Sequence, residues 1–212
     1  MPTAEACALR HAQPVDAEGF ISFACPGLQT SCDGGALASQ APFSVLALTR
    51  FGRGHVIAWC DSTNLDQLLK KFDVTEYLGG RANPRVAGLG PGWPCAYGSF
   101  SNAPAPYLGK ELPAKYVDGA ALAADWDAII LCGMAGGSTT GVRAEWAPML
   151  QEFVRDQGKG LLAVMDYGDD SAAAPWFDSM NAIVQPTGIT FRPVNLGWST
   201  MTVDAECVPD LR

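Results

Sequence analysis

Two aspartates stand where an apolar run gives way to turn residues. Asp61 follows His55-Val-Ile-Ala-Trp-Cys60, and Asp166 follows Leu161-Leu-Ala-Val-Met165. Polar and aromatic groups come directly after each, Ser62 and Asn64 in the first case, Tyr167 and Asp169 in the second. Two carboxylates held close together could divide the work of general acid and base, or hold a hard cation. The plainer reading has Asp61 capping a following helix and Asp166 accepting from loop amides. A third polar stretch, Gly136-Gly-Ser138-Thr-Thr140, precedes a helix-like segment and could take an anion at the helix N-terminus, with simple capping by Ser138 or Thr140 as the alternative. It lacks the Lys-Ser/Thr ending of a phosphate-binding loop and the spacing of a dinucleotide fingerprint, so no cofactor is expected. Trp93, Tyr97 and Phe100 crowd an uncharged, proline-rich stretch over 91–106. Such a loop could stack on sugar rings, cover a core edge or dock a partner.

Composition narrows the classes. A net charge of −8 argues against a nucleic-acid backbone or an anionic membrane as partner. No apolar run reaches the roughly 18 residues a membrane helix needs. The first residues show no secretory leader, yet the chain could still be a mature protein or an excised domain, so a soluble protein is expected and an extracytoplasmic setting is compatible with the sequence. Seven cysteines without a CxxC, and only His11 and His55, leave no zinc site of the usual kind, and no metal is expected. Cys60 and Cys132 lie inside apolar runs and are expected to pack as small hydrophobes. Cys25 and Cys32 flank a turn-rich hexapeptide and could close a hairpin disulfide in an oxidising compartment. His55, beside Arg53, is expected to be a structural residue.

The elements that must position these groups follow from periodicity. Two unbroken apolar runs, 128–132 and 161–165, are separated by a segment, 143–157, with Trp146, Met149, Leu150, Phe153 and Val154 on one helical stripe. The spacing predicts a right-handed βαβ unit with strands buried on both faces. Gly158 falls where a helix C-cap belongs. Residues 43–49 and 55–60 read as a hairpin about a turn over 50–54, followed by a helix over 65–72. Short strands are expected at 20–25, 85–90, 115–118 and 189–192, a helix at 176–184, an extended piece at 195–203 and a turn at 32–35. Residues 1–7 and 201–207 echo each other, Met-Pro-Thr-Ala-Glu-Ala-Cys against Met-Thr-Val-Asp-Ala-Glu-Cys.

From Trp126-Asp-Ala-Ile-Ile130 through Gly133–Gly137, the Glu145–Gly158 helix and Gly160-Leu-Leu-Ala-Val164, the chain resembles the class I glutamine amidotransferase-like superfamily. It is most similar to the non-catalytic, trehalose-utilisation-protein-like branch. The resemblance implies a single α/β domain, flavodoxin-like, with a mostly parallel central sheet, helices on both faces and a β-hairpin near the N-terminus. The segment over 52–61 usually comes late in such domains, and here it comes first. The order therefore resembles a circular permutation, with 1–78 matching the family's C-terminal part and 84–200 its N-terminal part, or else a cut from a tandem array. Catalytic members carry a cysteine nucleophile at the turn that here reads Met165-Asp166-Tyr167-Gly168, and neither histidine has a glutamate two residues later. The resemblance thus implies a non-catalytic binding or interaction domain for a protein partner or a small polar ligand. Ligand-side residues would be Ser62, Asn64, Trp93, Gly136, Ser138, Tyr167 and Asp169, at the carboxyl ends of the strands. The alternatives are a hydrolase or isomerase of a sugar-like molecule working through Asp61 and Asp166, and a structural subunit that forms homo-oligomers through the Trp/Pro loop.

Overall fold

The structure, a computed structural model, describes residues 7–10, 15–17, 31–32, 46–59, 78–91, 106–133, 141–165, 174–191 and 198–201. Strands β1 (Cys7–Arg10), β2 (Val15–Ala17) and β3 (Ser31–Cys32) precede a hairpin of β4 (Leu46–Phe51) and β5 (Gly54–Trp59). Then come β6 (Val86–Leu89), β7 (Tyr107–Gly109), α1 (Gly119–Asp125), β8 (Ala128–Cys132), α2 (Ala147–Arg155), β9 (Gly160–Val164), α3 (Ala174–Val184), β10 (Ile189–Phe191) and β11 (Trp198–Met201). Six strands form one sheet in the order β4-β5-β9-β8-β6-β7, with β4 antiparallel and the other neighbours parallel. This is the expected α/β architecture. Counted from β6 with β5 placed last, the parallel strands stand in the order 2-1-3-4-5 of doubly wound flavodoxin-like sheets.

The two apolar runs became the central strands, and every residue of β8 and β9 is buried. Burial on both sides demands cover on both sides, and two glycines show what supplies it. His55 and Gly160 are register partners and share a face, so Gly54 points to the other. A Cβ on Gly54 would come within 2.9 Å of Val154 Cγ1 on α2. A Cβ on Gly160 would come within 2.3 Å of the carbonyl of Leu78, in a helical turn over residues 78–79. Helical backbone therefore presses against both faces. Along α2 and the turn that leads into it the predicted stripe packs inward, with Trp146, Leu150, Phe153 and Val154 buried and Met149 half-buried. The α-helix starts later than expected, after a 3-10 turn over Ala144–Trp146, with Pro148 in its first turn, and the chain leaves it through Gly158 at φ +68°.

Several expectations are corrected. Residues 115–118 are not a strand. Asp118 instead caps α1, its Oδ1 accepting from Ala121 N at 2.7 Å, and the alanine-rich stretch behind it propagates the helix. Cys32 pairs as strand β3 with Ser199 rather than turning. The strand expected at 189–192 is present as β10, in a separate two-stranded sheet. In β10 Ile189 and Phe191 are buried while Thr190 is not, the alternation of a one-sided strand, and it pairs antiparallel with β2. The hairpin turn is tighter than 50–54, because Gly52 at φ +59° lets two residues reverse the chain. The echoing chain ends meet: β1 pairs with β11, Cys7 opposite Met201. The strand expected at 20–25 and the helix expected at 65–72 lie outside the described residues. No described helix is long and apolar enough to cross a membrane.

At the amino ends of the central strands one carboxylate is enclosed. Asp127, 2% exposed, precedes β8, and its oxygens accept from Arg85 Nε at 3.1 Å, Arg85 Nη2 at 3.1 Å, Arg85 N at 3.0 Å and Lys159 Nζ at 2.7 Å. The bonds from Arg85, and after them that from Lys159, outweigh burial and hold this carboxyl well below the usual carboxylate range. A depressed carboxylate stabilises the fold above its ordinary pKa and loses that contribution as pH falls below about 4. Asp127→Asn should cost about 2 kcal/mol near neutral pH, because the buried carboxylate loses its charge-assisted bonds to Arg85 and Lys159, two cations that themselves stay in contact with water. Melting curves from pH 7 to pH 2 should show this gap narrowing in acid. An unchanged melting temperature at pH 7 would remove the anchoring role.

Candidate functional site

The carboxyl ends of β5, β9, β8 and β6 are neighbours in the sheet, and they lead into the four segments in which the sequence places its candidate residues. Trp59 and Val164 are register partners, so Asp61 and Asp166 each follow two residues beyond paired positions on adjacent strands. Asp61, Ser62, Asn64, Trp93, Gly136, Ser138, Asp166, Tyr167 and Asp169 themselves lie outside the described residues, as do His11, Cys25 and Cys60.

What is described at this end is tightly drawn together. Met165 N donates to Trp59 O at 3.0 Å, and Gly133 N donates to Val164 O at 2.7 Å. A Cβ on Gly133 would collide with Met165 Sδ, so the Met165 side chain packs directly on the backbone just past β8. Gly90, at φ +106°, brings the end of β6 against β8, where a Cβ would lie 2.3 Å from Cys132 O. Tyr107 Oη donates to Gly90 O at 3.0 Å, and burial pushes its phenol above the usual range.

Two features here were not anticipated. Cys132 is buried as expected, but it is disulfide-bonded rather than a free small hydrophobe. An apolar run tells of burial and is silent on whether a second sulfur approaches the strand end. Trp59, 3% exposed at the end of β5, keeps its indole N–H buried without an acceptor among the described residues. Trp126, by contrast, donates Nε1 to Tyr116 Oη at 2.8 Å, and that hydroxyl donates to Asp125 Oδ2 at 2.9 Å. Unsatisfied buried donors are uncommon and gather where strain or ligands require them. The only signal for Trp59 in the sequence is its place in Trp59-Cys60-Asp61, at the end of the strand that precedes a candidate aspartate.

His55 sits at the other end of the sheet, opposite Gly160, and its pKa is lowered by partial burial and then by Arg50. Among the described residues no group of three or more His, Cys, Asp or Glu gathers in a way that could hold a metal ion.

No family profile and no curated protein matches the chain. A solved structure similar in fold is that of IMPa from Pseudomonas aeruginosa in complex with an O-glycopeptide, at 15% identity and a TM-score of 0.53. The match covers 90% of this chain and 21% of that one, so the chain spans about a fifth of its structural neighbour. At this identity the likeness extends to the fold.

The disulfide has a direct readout. Alkylation of the unfolded, unreduced protein should leave at least two of the seven cysteines unmodified, Cys132 among them, and all seven should react after reduction. Cys132→Ser should lower stability by about 2–4 kcal/mol. Seven modified cysteines without reductant would contradict the bond.

Proposed function

We propose that the chain is a non-catalytic, amidotransferase-like binding or interaction domain, carried as one module of a longer protein, with its small-ligand face at the carboxyl ends of β5, β9, β8 and β6. The observation that carries this reading is the Trp59 indole N–H, buried at the ligand-binding end of a parallel sheet with no acceptor among the described residues. An indole N–H only donates, so it fits a ligand that brings a carbonyl or hydroxyl oxygen.

Other features support the reading. The turn where a thiol nucleophile would sit begins with Met165, which is 1% exposed. His55 pairs with Gly160, five residues before that turn, a separation of roughly 16 Å along the strand at about 3.3 Å per residue. An imidazole there could not activate a nucleophile at the turn. The 2-1-3-4-5 order counted from β6, together with the pairing of β1 with β11, fits a circularly permuted domain whose natural ends were joined. The Cys132 disulfide fits an oxidising, extracytoplasmic setting. The fold recurs as about a fifth of a longer chain, which fits a module.

A second reading, a hydrolase or isomerase using Asp61 and Asp166, is favoured by one observation. The strands that lead to them are adjacent and in register at Trp59 and Val164, positions about 4.8 Å apart across the ladder.

Because IMPa was solved with an O-glycopeptide, glycosylated peptides are the first probes. Calorimetry should show an O-glycosylated threonine peptide binding the protein. Trp59→Phe and Asp166→Asn should each weaken it about tenfold, the loss of one good hydrogen bond; Asp166→Asn should leave the melting temperature unchanged, while Trp59→Phe, in the core, should also lower stability by about 1 kcal/mol. Turnover of the peptide that disappears in Asp166→Asn would transfer the function to the second reading. Loss of stability without loss of binding would return Asp166 to a capping role.

A further inference from the structure

The amino-terminal edge of the main sheet is basic, although the chain as a whole carries −8. Arg50 and Arg53 border the β4–β5 turn, Arg50 Nε donating to Gly52 O at 3.2 Å and Arg53 Nη1 to Asp156 O at 3.1 Å. Arg155 closes α2 against the same turn, where a Cβ on Gly52 would lie 2.4 Å from its carbonyl, and it pairs with Asp156 at 2.7 Å. A Cβ on Gly158 would lie 3.3 Å from Arg53 Cβ, and the next residue, Lys159, reaches Asp127 at 2.7 Å. Arg85 holds the other side of Asp127, with Arg81 at 3.9 Å beyond it. The contacts run without a break past the starts of β5, β9, β8 and β6.

Six cations line this path: Arg50, Arg53, Arg155, Lys159, Arg85 and Arg81. Against them stand Asp127, Asp156 and Glu152, the last accepting from Gly119 N at 3.1 Å. Three positive charges are therefore unmatched among the described residues. Asp125, beside Arg85, is balanced by Lys115 at 2.7 Å. Asp127 is fully engaged, but Arg81 is 60% exposed, Arg85 47% and Arg155 51%, and Arg50 and Arg53 are exposed too. A structural anchor for one carboxylate needs Arg85 and Lys159 alone. The remaining arginines hold spare N–H donors outward.

We propose that this arginine stripe is a docking surface for an acidic face of a protein partner. Five of the six cations are arginines, whose planar forks match carboxylates in pairs. The excess is small and local. Nucleic acid presents one charge every ~1.7 Å, and within a Debye length of about 10 Å it would also meet the acidic remainder of this chain. A cluster of carboxylates on a protein meets the stripe only. The surface lies at the opposite end of the sheet from the ligand face, so either can fail without the other.

The test uses immobilised poly-L-glutamate as the carboxylate probe, at about 50 mM salt where exposed pairs are least screened. The chain should bind, and the binding should fall as salt rises. The triple variant Arg50→Glu, Arg53→Glu, Arg81→Glu should bind about tenfold more weakly, as three exposed pairs are lost, at an unchanged melting temperature. The same kind of charge change made elsewhere, at Lys110→Glu and Arg143→Glu, should leave binding as it was. The proposal is overturned by absence of binding in low salt, by equal weakening in the two variants, or by tighter binding to a single-stranded DNA oligonucleotide or to phosphatidylserine vesicles than to poly-L-glutamate.

Discussion

A carboxylate buried at the start of the central strand is the constraint on which the sheet depends. Withdrawing Asp127 from water costs several kcal/mol unless donors replace the solvent, and here they come from the residues that lead into β6 and β9. Arg85 and Lys159 can both reach it only when the three strands start level. The backbone repeats the same alignment, with Asp127 N donating to Arg85 O at 2.8 Å and Gly160 N to Asp127 O at 3.0 Å. This matters because β8 and β9 are buried on both faces. A strand with one wet face resists a one-residue slip, since the slip exposes its apolar set. Strands that are apolar throughout have no such guard. The charged anchor, and the close approaches of Gly54 to α2 and Gly160 to Leu78, supply the alignment that hydrophobic pattern leaves open.

The two ends of the sheet are thereby unlike. The amino end carries saturated and half-exposed charge, with Asp127 inside and arginines outside. Among the described residues the carboxyl end is apolar and tightly packed at Met165, Gly133 and Gly90, and its polar feature is the Trp59 donor. A donor in low dielectric without a partner is costly. The Trp59 donor stands at the end of β5, beside β9, and the proposed ligand face is argued from it. Charge on one edge and an apolar, donor-bearing face on the other are the two features from which the binding role and the docking surface are proposed.

Much of the architecture was legible because local pattern decides element type. The unbroken runs of β8 and β9, the stripe of α2, the β4–β5 hairpin and the glycine exits at Gly158 and Gly188 follow from rules that act within a few residues. The failures came where pattern is weak. Residues 115–118 have strand-like composition, and one capping bond from Asp118 outweighs it. Tyr107–Gly109 is a three-residue edge strand that only its neighbour β6 makes into a strand. The alternation in β10 was readable, but its partner β2 lies far away in the chain. At the candidate site the strands leading to Asp61 and Asp166 could be read as strands, whereas their adjacency could not.

Taken alone, the sequence determined that this is an α/β protein with two fully buried strands around one amphipathic helix, a hairpin before them and an acidic overall charge, because periodicity and composition are local or additive properties. It also determined that no thiol nucleophile stands after β9, since identity at a position needs no fold. Tertiary structure decided the rest. It set β5 beside β9 although about a hundred residues separate them, gathered arginines from three segments along one edge, brought a sulfur to Cys132 and left the Trp59 donor without an acceptor among the described residues. Each of these is a meeting of groups distant in the chain, and such meetings are decided by how buried strands and helices pack, through contacts that no short stretch of residues encodes.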